Sequence, residues 1–226
     1  MRATGGPWHG TETLAQENLT MRRNLCAFAL LALITAAILP TAARAETTVR
    51  HFKGISAYSS FTSYDSTGCI TTYTDVSVYE DVTRTSGSST ESSYAYLNIF
   101  QYDSCQNLYL SELVGSSSLA PGAFDTRGKI HSARLATTME AYDYLTNTTV
   151  PVSIDLAWTA VGDVLRGSSS FRTIYAHTRL SSHQVGSSSA ADVVGSVVLG
   201  STNLTPQPSD YGSIYDNQTG TIYTSH

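Results

Sequence analysis

Two cysteines, Cys69 and Cys105, are left once the first 45 residues are set aside, and they constrain the chain more than any other pair of positions. Each flanks a run rich in β-branched and aromatic residues, Ile70–Tyr79 after the first and Tyr94–Tyr102 before the second, a composition that suits a pleated, half-buried surface. Between the runs, Thr85-Ser86-Gly87-Ser88-Ser89-Thr90 is turn chemistry. Two cysteines allow one intramolecular pairing. A bridge over their 36 positions would stabilise the fold by roughly 3–4 kcal/mol in the chain-entropy model. The expectation is a long hairpin tied by Cys69–Cys105.

The register of that hairpin is contested. Symmetry about Gly87 places Cys69 opposite Cys105, which suits a bridge with about 5.5 Å between Cα atoms. The apolar residues ask for something else. Ile70, Val76, Val78 and Val82 are even-numbered, whereas Ala95, Leu97 and Ile99 are odd-numbered. To share a face they need pairs whose numbers sum to an odd value, which moves the cysteines out of opposition. A bulge in either arm, or a bridge between neighbouring segments, reconciles the two.

A second hairpin is written more clearly. Ile130–Leu145 and Val150–Val161 flank Thr146-Asn147-Thr148-Thr149. A turn centred on Asn147-Thr148 sets Leu145 against Val150, Ala141 against Ile154, Met139 against Leu156, Thr137 against Trp158 and Leu135 against Ala160. One apolar face results, and Glu140, Tyr142, Tyr144, Ser153, Asp155 and Thr159 take the other. Matched alternation across a tight turn is a hairpin signature. Pro151 then belongs near a strand start or on an edge.

Further strands are expected over Thr47–Ser63 with a break at Gly54, Gln106–Val114, Phe171–Leu180, Ala191–Gly200 and Thr219–Thr224. The three Gly-Ser-Ser-Ser segments, at 115–118, 167–170 and 186–189, read as loops, as do Ser181–Ser189 and Thr202–Gly212. Helix signals are almost absent. The predicted fold is all-β: a single antiparallel β-sandwich, or a related barrel, of about 8–10 strands with one disulfide.

Residues Met21–Ala45 have the parts of a secretory signal peptide: Met21-Arg22-Arg23, an apolar stretch of 15 residues from Leu25 to Leu39, and Ala43-Arg44-Ala45 as a small-x-small cleavage site. That stretch is shorter than the roughly 20 residues that span a bilayer. Cys26 opens the stretch instead of following it, which is the wrong place for a lipid attachment site. Residues 1–20 read as a non-native upstream extension, and 46–226 as one secreted domain, extracellular or periplasmic. Export makes the disulfide chemically reasonable.

The expected mature chain carries nine Lys/Arg and sixteen Asp/Glu, a formal charge of −7. Low charge density and no basic patch in the sequence argue against nucleic acid and against an anionic membrane surface as partners. No later segment is long and apolar enough to span a membrane.

Signatures of chemistry are missing. There is no Gly-x-Ser-x-Gly elbow, and His51, His131, His177, His183 and His226 lack zinc-ligand spacing. Asp216-Asn217-Gln218-Thr219-Gly220 resembles a turn more than a calcium loop. No catalytic residue, metal site or cofactor is assigned. The one functional hint is aromatic. All fourteen tyrosines lie after residue 45, and Tyr94, Tyr96 and Tyr102 on one hairpin, with Tyr142 and Tyr144 on the other, fall on presumed outer faces. Exposed tyrosines stack on sugars or anchor protein contacts. The leading expectation is a non-catalytic binding or surface-interaction module for an extracellular glycan or protein. Two alternatives stand beside it. One is a secreted hydrolase using Asp155, Glu140 or Asp143 in a cleft; the other is a structural coat or envelope component. Asn147, Asn203 and Asn217 each open an Asn-x-Thr acceptor triplet.

Overall fold

The computed structural model describes residues 46–128 and 130–225. The expected leader Met21–Ala45, the upstream extension, Lys129 and His226 lie outside the described residues. Among the described residues ten strands follow one another with no helix between them: β1 (Glu46–Tyr64), β2 (Ile70–Thr85), β3 (Ser88–Asp103), β4 (Leu108–Ser118), β5 (Phe124–Arg127), β6 (Ser132–Asp143), β7 (Thr148–Tyr175), β8 (Thr178–Leu199), β9 (Thr202–Leu204) and β10 (Tyr211–Ser225). They form one antiparallel sheet in the order β10-β1-β2-β3-β4-β6-β7-β8-β9. Strand β10 also pairs with β8 over Ala190–Thr178. The path therefore returns on itself, and of the two expected architectures the barrel is the one formed. Closure removes sheet edges where the ring is complete. The weakest seam, between β4 and β6, has three pairs and is flanked by β5, which adds to β6 through Phe124↔Leu135 and Arg127↔Ser132.

Alternation places the core inside the ring. Ala57 and Phe61 from β1, Val76 and Val78 from β2, Leu97 and Ile99 from β3, Leu135 from β6, and Ile154, Leu156 and Trp158 from β7 are buried together. Trp158 reaches furthest. Its indole N–H donates to the Tyr58 carbonyl of β1 at 2.9 Å, so one side chain ties walls three strands apart around the ring.

The first hairpin obeys its apolar residues. Val76 faces Leu97 and Val78 faces Ala95, in one unbroken register from Ile70↔Asp103 to Thr85↔Ser88. Gly87 turns the chain with φ 87°. No bulge is needed, because the cysteines lie just beyond the ladder. Ser104 donates its N–H and its hydroxyl to the Cys69 carbonyl at 2.9 and 3.0 Å, and Cys105 sits in the turn into β4. The bridge joins Cys69 to Cys105 with 5.3 Å between Cα atoms. Directly opposed cysteines are thus corrected to a strand end bonded to the neighbouring turn.

The second hairpin keeps its predicted faces but not its predicted partners. Leu135 faces Leu156, Ala133 faces Trp158 and Ala141 faces Val150, four positions away in sum from the expected register. The cause is the turn. Asp143 closes the ladder against Thr148, and its carboxylate accepts the Leu145 N–H and the Thr146 hydroxyl, each at 2.9 Å. Asn147 adopts φ 55°, a conformation that Asn tolerates. The side chain at 143 thereby sets a wider loop than one centred on Asn147-Thr148. Pro151 lies near the start of β7, one residue before the β7–β8 ladder begins at Val152↔Leu199.

Burial pushes the Asp143 carboxyl up, but hydrogen bonds from Leu145, Thr146 and the neighbouring backbone outweigh it and hold the group below its ordinary value. A depressed folded pKa contributes stability above the unfolded carboxylate range, and that contribution is lost as pH falls through the folded value. Urea unfolding at pH 7 and at pH 3 should show this loss below about pH 4. Asp143→Asn should be less stable at pH 7 and lose less on acidification. An unchanged acid dependence in the variant would contradict the capping role.

All three Gly-Ser-Ser-Ser segments lie in strands, as does Ser181–Ser189. Gly167 pairs with Gly186, Gly186 with Asn217, and Asn217 with Gly54, so a row of three glycines and one asparagine, the small-residue row, crosses four strands. Gly54 does not break β1, and Asp216–Gly220 is mid-strand, not a turn. At Gly195 (φ 122°) a Cβ would lie 2.0 Å from the Asp155 carbonyl oxygen, which fixes glycine where β8 passes β7. Beyond the core, β7, β8, β10, β1, β2 and β3 run on as a six-stranded extension of the barrel wall. No helix among the described residues is long and apolar enough to cross a membrane.

Candidate functional site

The outer wall of β10, β1, β2, β3 and β4 carries most of the tyrosines. Directly paired residues share a face, and two rows across the strands show the pattern. One runs Tyr58, Ser77, Tyr96, Ser116; the next runs Ser188, Tyr215, Ser56, Tyr79, Tyr94, Ser118. Serines between tyrosines leave room for the rings to lean over the sheet. Tyr79 lies 5.6 Å from Tyr94 and 5.8 Å from Tyr96 between ring centroids, the second pair stacked. The Tyr79 and Tyr96 hydroxyls are 3.2 Å apart. That hydrogen bond, with burial and nearby charge, pushes Tyr79 up to about 12. Burial likewise raises Tyr58, whose hydroxyl donates to Asp75 at 2.9 Å. Both phenols therefore stay neutral at ordinary pH.

The five tyrosines singled out in the sequence form three clusters. Tyr94 and Tyr96 meet on Tyr79. Tyr102 packs on Tyr109 at 5.3 Å, which in turn contacts Phe100 at 5.2 Å, and its hydroxyl donates to Asn107. Tyr142 and Tyr144 meet edge to face at 5.1 Å, with the Tyr142 hydroxyl donating to Asn147. Except for half-buried Tyr102, all five are exposed.

Tyr58, Tyr79, Tyr211 and Tyr215 are the members that sequence reasoning missed. Tyr58 and Tyr211 pack at 6.0 Å. Their role depends on β10 lying against β1, a pairing with no local signal. Beside Tyr215 the same outer face sinks into a groove of about 520 Å³ over the small-residue row, lined by Ser169, Gln184, Ser188 and Asn217 with the backbone of Gly167 and Gly186. An aromatic ring flanked by amides, hydroxyls and open backbone can stack on one face of a polyol and hydrogen-bond its edges.

The carboxylates of the hydrolase alternative do not gather. Asp155 is exposed and held by Arg134, whose Nη2 lies 3.2 Å from Oδ2. Glu140 is exposed on the outer face, and Asp143 caps its turn. Asp103 lies beside the cysteines as the tightest cluster of metal-ligating side chains among the described residues. However, those sulfurs are bonded to each other, and Asp103 accepts the Cys105 and Gln106 N–H groups at 2.9 Å. Of the acceptor triplets, Asn147 and Asn203 are exposed and Asn217 is half-buried within β10.

Comparison with protein-family models, curated proteins and solved structures finds no counterpart for this chain.

Proposed function

We propose that the chain is an exported, non-catalytic binding module whose outer wall engages a carbohydrate. The observation that carries this is the continuity of the Tyr215 groove with the Tyr58–Tyr79–Tyr94–Tyr96 surface, which joins stacking rings to a recess of amides and hydroxyls. Export is supported by the signal-peptide features of residues 21–45 and by the single disulfide. The extracellular or periplasmic side is where such a module meets cell-wall or surface glycans.

The test is retention on immobilised glycans and cell-wall material. Tyr94→Ala with Tyr96→Ala, and separately Tyr215→Ala, should each weaken retention by roughly tenfold or more, taking the about 1–3 kcal/mol that a base gains on one aromatic ring as the scale for stacking. Tyr144→Ala, at the far turn, should change little. Undiminished retention in the first two variants would remove the outer wall as the site. Retention of a protein partner in place of any glycan would redirect the reading to protein recognition.

A further inference from the structure

The opposite face of the same six-stranded extension is a different surface, and its argument does not rest on the outer wall. Following the registers outward from the core, one inner-face row reads Ser168, Val185, Gln218, Lys53, Val82, Glu91. The next reads Ser170, His183, Gly220, His51, Arg84, Ser89, and beyond it Arg172 pairs with Ser181 and Arg179 with Thr224. With Arg166, five of the nine Lys/Arg after residue 45 stand on this one face, together with two histidines. Its three carboxylates, Glu80, Glu91 and Asp216, lie nearer the core or at the β3 edge; the rows of His51, Arg84, Arg172 and Arg179 hold none. A stretch, residues 46–226, with a formal charge of −7 thus has a cationic inner face. Among the described residues the only ion pairs are Arg127–Asp125 and Arg134–Asp155, so none of these five cations is neutralised by one.

The face is recessed as well as charged. A cavity of about 600 Å³ is lined by His51, Lys53, Arg84, His183 and Gln218, with Gly220 between the two histidines and no carboxylate in its wall. Gly220 pairs with His51 on one side and His183 on the other, so no side chain separates the imidazoles. From Arg84 on β2 to Arg172 on β7 there are four strand steps, about 19 Å at about 4.8 Å each.

We infer that this inner face binds an acidic polysaccharide, with Lys53, Arg84, Arg166, Arg172 and Arg179 meeting carboxylate or sulfate groups spaced along the chain. Cations on four strands, β1, β2, β7 and β8, suit a ligand with repeated charges better than a single anion. A trough suits a linear chain better than a bilayer surface. The aromatic residue in the cavity's lining is Phe52, whose ring leans over Gly54 toward the outer face; the inner-face rows themselves hold no Phe, Tyr or Trp, the stacking platforms that single-stranded nucleic acids use.

The test uses the purified full chain with three probes at low salt: heparin, polygalacturonate and dextran of matched length, with oligo-dT as a fourth. Heparin or polygalacturonate should bind, with affinity falling steeply as salt rises, and dextran should not compete. The pairs Lys53→Gln/Arg84→Gln and Arg172→Gln/Arg179→Gln should each weaken binding roughly tenfold or more. The pair Arg127→Gln/Arg134→Gln removes the same charge from residues already ion-paired, and should stay within about twofold. In the unmodified protein, heparin should protect Lys53 from acetylation, a readout that needs no variant to fold. Failure of both acidic glycans to bind, equal losses in the control pair, or unprotected Lys53 would overturn the inference. Oligo-dT binding as tightly as the glycans, with the same losses, would replace the polysaccharide with nucleic acid. Because the tyrosine variants lie on the other face, either reading can fail alone.

Discussion

Trp158→Ala should lower the midpoint of thermal unfolding by roughly 10 °C. Trp158 is fully buried between Ala133 and Val193, and truncating such a side chain costs about 3–5 kcal/mol. For a domain of this size each kcal/mol moves the midpoint by about 2–4 °C. Part of the loss is polar. The indole N–H satisfies the Tyr58 carbonyl across the interior, and Trp158→Phe keeps most of the volume while removing that donor. Its cost should be smaller, about 1–3 kcal/mol. Differential scanning calorimetry on both variants separates packing from the hydrogen bond. Equal losses would mean that the bond itself is what matters. Since Trp158 is the only tryptophan after residue 45, its fluorescence reports unfolding of the core in the unmodified protein.

Removing the bridge by Cys69→Ser with Cys105→Ser should cost roughly 3–4 kcal/mol, the value that the chain-entropy model gives for a loop of this length. The folded end of the hairpin should change little. Ser104 still bonds to the Cys69 carbonyl, and Asp103 still caps the turn. The effect should come mainly from a freer unfolded chain, so denaturant unfolding should show a lower midpoint together with a larger dependence on denaturant. A loss under about 1 kcal/mol would show that the β2–β3 ladder already restricts the unfolded ensemble as much as the bridge does.

How far the sequence could be read follows from the range of the forces involved. Alternation in Val76, Val78, Leu97 and Ile99 is local, and it chose the register of the first hairpin against the apparent symmetry of the cysteines. The faces of the second hairpin were legible for the same reason. Its partners were not, because one carboxylate at Asp143 and a left-handed Asn147 set the loop. Gly-Ser-Ser-Ser reads as a loop wherever propensity decides; here it is held in strands by partners elsewhere in the ring. Closure itself rests on β10 meeting both β1 and β8, a contact between the two ends of the domain that no window of sequence contains. The candidate surfaces divide in the same way. Tyr94 and Tyr96 could be picked out from their own hairpin, whereas the Tyr215 groove and the cationic inner face exist only once β10 is in place. A count of charges cannot tell which face of a sheet they occupy.

That closing contact also sets how the domain would answer a pull. Glu46 of β1 and Ser225 of β10 are partners at the same end of one ladder. Tension applied through both would not shear the strands along their length. It would open the ladder like a zip, one hydrogen-bonded pair after another, beginning beside the cationic rows and moving toward the core. The bridge between Cys69 and Cys105 lies behind β1 on that path and bears no load until β1 has peeled away. Anchored at both ends, the barrel would yield gently and early; anchored at one, it would feel no such force.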